Sequence, residues 1–304
     1  MRVICSLGAR FGGGGIGTTA YHGVRGLWQQ GSLHRLLCGS FVPGDIPSDR
    51  VRSLGLPSRV LRKAASLDST GRLWHAEAVL FDAWAARQLE PADLLLVWGN
   101  YGLRSLGQAK RMGMRTVVQR ASTHPRVQAR LLAEEYARWG LAFRVPGPAL
   151  RRAQAEIESA DRVLIPSDWV RRTFLAEGFA DERLLLLPFG VDTARFRPVP
   201  QPAPHPFRVL FVGQVGLRKG VPDLLEAWRN LGWRDAELWL VGSVEDAARP
   251  VFQRWAGLRG VRFVGYTPDP VAIYGQADVF VFPSIEEGSA LVTYEAMACG
   301  LPVV

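Results

Sequence analysis

In this 304-residue chain two cations, Arg218 and Lys219, and two carboxylates, Glu287 and Glu295, each stand beyond an apolar run. Arg218 and Lys219 follow the run Phe207-Arg208-Val209-Leu210-Phe211-Val212 and the short loop Gly213-Gln214-Val215-Gly216. Placed beside a helix N-terminus, two such cations can neutralise a diphosphate. Glu287 follows a second run, Asp278-Val279-Phe280-Val281-Phe282-Pro283, and Glu295 stands eight residues further on. A helix starting near Ala290 leaves the amides of Ser289, Ala290 and Leu291 unpaired and partially positive, which also suits a diphosphate. Glu295, about one and a half turns into that helix, accepts only when ionised and fits the two hydroxyls of a ribose.

The stretch that holds the two carboxylates reads Pro283-Ser284-Ile285-Glu286-Glu287-Gly288-Ser289-Ala290-Leu291-Val292-Thr293-Tyr294-Glu295-Ala296-Met297-Ala298-Cys299-Gly300-Leu301-Pro302-Val303-Val304. It resembles the nucleotide-sugar site of the retaining glycosyltransferases of family 4, the glycosyl transferases group 1 with the GT-B fold. Their pattern is Pro-Ser, Glu-Gly, a second Glu after seven intervening residues, then Ala-Met-Ala-Cys-Gly-Leu-Pro-Val-Val. The resemblance implies that Glu295 holds the ribose and that Glu287 reaches the transferred sugar, either at a ring hydroxyl or beside the anomeric carbon. It also implies that Arg218 and Lys219 form the phosphate clamp, with Gly213 and Gln214 beside them. The backbone of Val264, Gly265 and Tyr266 is expected to read the base. Two departures stand out. Ser289-Ala290 replaces the common Phe-Gly, and Gln214 replaces a common Arg.

The amino-terminal half opens with the strand-like Arg2-Val3-Ile4-Cys5-Ser6-Leu7, a glycine run from Gly12 to Gly17 and a helix expected from Thr18 or Thr19. Gly12, Gly14 and Gly17 satisfy a dinucleotide fingerprint. That fingerprint also wants an acid at the end of the second strand, and the strand near Leu33 to Cys38 ends in Gly39-Ser40-Phe41 instead. The resemblance gives Gly14 and Gly15 another use, a close backbone approach to the donor phosphates; the other reading is a plain turn. His124 leaves the strand Arg115-Thr116-Val117-Val118-Gln119 with Arg120 nearby, and either hydrogen-bonds the donor sugar, orients the acceptor or is an ordinary polar loop residue.

Apolar runs at 207–212, 236–241, 261–264, 278–282 and 302–304 alternate with helical patterns, so each half is expected to be a doubly wound α/β unit with a parallel sheet. Ligands in such sheets bind at the carboxyl ends of the strands, where all three donor segments fall. By resemblance the architecture is GT-B, two Rossmann-like domains facing a cleft. The proline-rich stretch 198–206 marks a linker between residues 1–197 and 207–304. Relatives continue past the position of Val304, so the chain is expected to be a fragment with an incomplete second domain.

The composition is 48% hydrophobic and 21% charged, with no apolar stretch long enough for a bilayer. The start has no signal-like apolar region, and Cys5, Cys38 and Cys299 show neither pairing nor metal spacing, so a cytoplasmic protein is expected. Charge divides at the linker: residues 1–200 hold 28 Lys and Arg against 17 Asp and Glu, whereas 201–304 hold 9 against 11. Arg50, Arg52, Arg59, Arg62 and Lys63, interleaved with Val51, Leu54, Leu56, Val60 and Leu61, read either as a contact with the anionic inner face of a membrane or as a solvated basic loop. No nucleic-acid motif accompanies the charge.

No Asp-x-Asp pair occurs, so the cations at 218 and 219 imply transfer with no metal and no cofactor. The resemblance adds a nucleoside-diphosphate sugar as donor, a glycan or glycolipid acceptor and retention at the anomeric carbon. Two other readings are a non-catalytic nucleotide-sugar-binding module and an NAD-type oxidoreductase built on the Gly12–Gly17 run.

Overall fold

A computed structural model describes residues 1–66, 68, 70–198 and 204–304. It divides into two compact units, one of residues 1–129 and 144–188, the other of 130–143 and 189–304. Both are parallel-sheet α/β units.

The first unit has seven strands: β1 (Val3–Phe11), β2 (Leu33–Phe41), β3 (Val51–Ser53), β4 (Leu94–Trp98), β5 (Arg115–Gln119), β6 (Arg162–Ile165) and β7 (Leu184–Leu186). They lie in the order β3-β2-β1-β4-β5-β6-β7, every neighbouring pair parallel. Val3, Cys5 and Leu7 pack into one core while Ile4, Leu95 and Val97 pack into another, so both faces of the sheet are covered and β4 reads as an unbroken apolar run. The helix Ile16–Gln29 begins earlier than expected because the turn closes inside the glycine run, with Gly15 at φ 61°.

The second unit has β8 (Phe207–Val212), β9 (Ala236–Val241), β10 (Val261–Gly265) and β11 (Val279–Phe280), all parallel in the order β10-β9-β8-β11. Residues 302–304 add to this sheet: Phe280 N–H donates to Pro302 O (2.8 Å) and Val304 N–H to Phe280 O (2.9 Å). Val209, Phe211, Leu238 and Leu240 fill one core, and Leu210, Val241 and Phe280 fill the opposite one.

The units depart from the division at 198–206 in two places. Tyr136 is buried in the second unit's core, with Trp139, Leu141 and Phe143 packed on it, so 130–143 belongs there. Phe196 packs with Tyr274, Phe280 and Cys299, which ties 189–198 to the second unit as well. Residues 199–203 of the expected linker lie outside the described residues. Among the described residues, no helix is long and apolar enough to cross a membrane.

Candidate functional site

Within the second unit the loops after β8 and β11 are pressed together at the carboxyl ends of the strands. Leu217, Arg218 and Lys219 form a single tight turn that ends at Gly220, whose φ is 65°. A Cβ on Gly220 would lie 1.9 Å from Pro283 O, so only glycine permits both the left-handed turn and this approach. The contact carries Arg218 and Lys219 to the acidic loop. The carbonyl of Arg218 accepts from the N–H groups of Ile285 (3.0 Å) and Glu286 (3.4 Å) and from the Ser284 hydroxyl (3.3 Å).

The side chains then form a compact charge cluster. Arg218 Nε donates to Glu286 Oε2 at 3.0 Å, and its guanidinium lies 3.6 Å from Glu287 Oε1. Lys219 Nζ pairs with Glu287 Oε2 and sits 5.0 Å over the Phe282 ring. Burial pushes the Lys219 pKa down and Arg218 adds to that, while Glu287 opposes the shift. Glu287 Oε1 also accepts from Gly288 N–H (3.2 Å). Thus three of the expected groups, Arg218, Lys219 and Glu287, are brought together.

Glu286 is the residue that sequence reasoning passed over. Its side chain is fully buried and holds Arg218. Adjacent glutamates in an acidic loop are visible in the sequence, but which of them turns inward is not. Glu245 was also missed. Its Oε2 accepts from Leu217 N–H (3.1 Å), and its Oε1 accepts from the Tyr136 hydroxyl, so it braces the cationic turn from behind.

Next along the chain, the helix Leu291–Ala298 begins after Ala290 with no side-chain cap. Among the described residues, the amides of Ser289, Ala290 and Leu291 make no hydrogen bond to the protein. Ser289 Oγ instead meets the Tyr294 hydroxyl at 2.9 Å. Glu295 is apart from the charge cluster: it accepts from the Tyr274 hydroxyl at 2.9 Å, and burial raises its pKa. Gln214 is exposed beyond Gly213, whose N–H donates to Val241 O at 2.9 Å. After β10, Val264 is exposed, Gly265 has φ 85° and accepts from Gly242 N–H (2.8 Å), and Tyr266 is 80% exposed.

In the first unit the loops after β1 and β5 hold the remaining expected groups. Nothing would lie within 4 Å of a Cβ on Gly14 or Gly15, so both border open space. Gly17 differs, since its Cβ would meet Arg10 O at 2.2 Å and its role lies within the loop itself. β2 ends at Phe41, and no acid stands there. His124 is buried; its N–H donates to Thr173 Oγ1 (3.0 Å), and its ring meets Phe174 edge-on with centroids 5.1 Å apart. Arg126 N–H donates to Nδ1 at 3.4 Å, which leaves the ring proton on Nε2. Burial, with Arg120 and Arg126 adding and Glu177 opposing, pushes the pKa down to about 4. At neutral pH His124 is therefore a neutral donor. Arg120 is buried too, with Nε on Thr123 O (3.0 Å) and Nη2 on Gln128 Oε1 (2.7 Å).

Residues 206–304 match the family described as glycosyl transferases group 1. Over 113 residues the chain is 34% identical to O-antigen chain mannosyltransferase B of Escherichia coli, covering 31% of this chain and 27% of that protein. It is 30% identical over 269 residues to the MMP alpha-(1->4)-mannosyltransferase of Mycolicibacterium hassiacum, covering 82% of this chain and 63% of the relative. The chain therefore spans less than two thirds of either. Two solved structures resemble it across its whole length and over 80% of their own: sucrose-phosphate synthase of Thermosynechococcus elongatus (TM-score 0.68, 20% identity) and Anabaena HepE in complex with UDP and glucose (TM-score 0.61, 17% identity). At these identities the likeness is one of fold, the two-unit parallel-sheet GT-B architecture.

Proposed function

Residues 206–304 are a glycosyl transferases group 1 domain, and from that premise we propose that the protein moves a sugar from a nucleoside-diphosphate sugar to an acceptor hydroxyl on a glycan or glycolipid. The observation that carries this reading is the cluster of Arg218, Lys219, Glu286 and Glu287, set at the carboxyl ends of β8 and β11 beside the uncapped helix start at Ala290. A parallel sheet presents its ligand at that end.

In this reading Arg218, Lys219 and the amides of Ser289, Ala290 and Leu291 hold the diphosphate. Lys219 exchanges Glu287 for a phosphate oxygen, which frees the Glu287 carboxylate for the sugar. Glu295 turns from Tyr274 to the ribose hydroxyls, and Val264, Gly265 and Tyr266 flank the base. Gly213 and Gln214 line the phosphates from the loop after β8.

The bond between the anomeric carbon and the diphosphate oxygen breaks, and the electron pair leaves with the diphosphate. The acceptor oxygen bonds to the same face of that carbon, and its proton passes to a diphosphate oxygen. Charge on the leaving group is met by Arg218, Lys219 and the helix start, so the step runs without a metal ion or cofactor. HepE, with UDP and glucose in its solved complex, supports a nucleotide-sugar donor. The relative O-antigen chain mannosyltransferase B, by its name, supports a glycan-chain acceptor.

Proton NMR of the product formed from a nucleoside-diphosphate sugar and a lipid or glycan acceptor pool, with chelator present, tests the reaction. The expected product keeps the donor's anomeric configuration, at a rate the chelator leaves unchanged. An inverted product, or a rate abolished by chelator and restored by a divalent cation, contradicts it.

A further inference from the structure

The start of the helix Leu291–Ala298 carries two hydroxyls for which the proposed reaction has no use. Ser289 Oγ and the Tyr294 hydroxyl lie 2.9 Å apart. Tyr294 is the fourth residue of the helix. Helical side chains lean toward the N-terminus, so its ring reaches back over the first turn to Ser289. The pair thus stands beside the unpaired amides of Ser289, Ala290 and Leu291 and close behind Glu287 in the chain. Both side chains are half-buried, neither sealed in the core nor free in water.

The pair offers a donor and acceptors together. Each hydroxyl owns one hydrogen, and the contact between them uses one of the two. Among the described residues neither oxygen has another hydrogen-bond partner, so the second hydrogen is left to donate and lone pairs are left to accept. Thr293 differs: its hydroxyl (2.7 Å) and its N–H (3.2 Å) both donate to Ala290 O, which consumes it within the helix start. A phosphate oxygen accepts only, and the nearby amides with Arg218 and Lys219 already supply its donors. A sugar hydroxyl both donates and accepts, which is the complement of the pair. The Phe that Ser289 replaces would present neither.

We propose that Ser289 and Tyr294 together determine which donor sugar the site takes, by hydrogen-bonding one hydroxyl of the transferred sugar through their side chains. The inference rests on the proposed transfer reaction and adds its sugar selectivity. The selected sugar carries a free hydroxyl where it meets the pair. A sugar without that hydroxyl leaves a half-buried donor and its acceptors facing an apolar C–H edge, so it binds roughly 10- to 100-fold more weakly.

Calorimetry of the full chain with uridine, guanosine and adenosine diphosphates, their glucose and mannose conjugates, and the conjugates lacking a single sugar hydroxyl tests it. For the sugar nucleotide that binds best, one deoxy analogue is expected to bind roughly 10- to 100-fold more weakly. Tyr294→Phe, which keeps the ring, should bring that ratio to within about threefold of unity and leave the affinity for the bare diphosphate as it is in the unsubstituted chain. Ser289→Ala should lower the same ratio, and unchanged melting temperatures would show that neither variant loosens the helix. A pair that only braces the helix would weaken bare diphosphate and conjugates alike with the ratio intact, which overturns the proposal. So does an unsubstituted chain that binds every deoxy analogue equally, or one that gains no affinity from any sugar. If no nucleoside diphosphate binds at all, the transfer reading falls and this proposal with it.

Discussion

At the scale of single residues, the cationic turn has two jobs that mutation can separate. Arg218 balances the buried Glu286 and, in the proposed site, a phosphate. Arg218→Ala should therefore weaken nucleotide binding and also cost about 2 kcal/mol of stability, since it strips a buried carboxylate of its guanidinium. Adding Glu286→Gln should restore the melting temperature but not the binding; recovery of both would mean that Arg218 serves the fold alone. Lys219→Ala should weaken a nucleoside diphosphate roughly 10- to 100-fold in calorimetry, the scale of a charge-assisted hydrogen bond. His124 makes a pH prediction. Its folded pKa of about 4 lies below the ordinary 6.5, so the unfolded chain binds more protons in between and stability falls as pH drops from 6.5 toward 4. Thermal melts of His124→Gln across that window should show a flatter decline. Much of this chemistry was legible in residue types: Arg218, Lys219 and Glu287 stand together as their positions after apolar runs suggest. Glu295 on Tyr274 and the inward turn of Glu286 were not legible, because burial of one glutamate over its neighbour is decided by packing 68 residues away in sequence.

At the scale of elements, the apolar runs named the strands at 207–212 and 236–241 to the residue, because the one charged residue in each, Arg208 and Glu237, is buried in a mutual ion pair (3.1 Å) and leaves both faces to the core. The helix after β1 starts at Ile16 rather than at Thr18 or Thr19, since glycine conformation, which a sequence does not display, sets where the turn closes. Gly220 is the element on which the site turns. Gly220→Ala places a Cβ against Pro283 O in a left-handed backbone and should cost about 3 kcal/mol, with nucleotide binding weakened as the turn shifts. A variant that melts and binds like the parent would show that this close approach does not position Arg218 and Lys219.

At the scale of the whole molecule, two parallel-sheet units follow from the alternation of strand and helix patterns, but their membership does not follow chain order. Residues 130–143 join the second unit through Tyr136, Trp139, Leu141 and Phe143, and no local pattern says which of two distant cores an apolar helix face will join. Tyr136→Ala should accordingly remove a buried ring and the hydroxyl that braces Glu245, destabilising the second unit by about 3 kcal/mol and loosening the cationic turn. Hydrogen exchange in β8 and β9 should quicken, although residue 136 precedes them by about 70 and 100 positions. Because residues 201–304 carry a slight acidic excess, attraction of a diphosphate rests on Arg218 and Lys219 together with the uncapped helix start at Ala290. The most direct test is a thermal-shift comparison of uridine, guanosine and adenosine diphosphates and NAD, in chelator, on the parent chain, Lys219→Ala and Glu295→Ala. The account predicts a shift for one nucleoside diphosphate that both substitutions abolish. A shift with NAD alone, or a diphosphate shift that survives both substitutions, would contradict it.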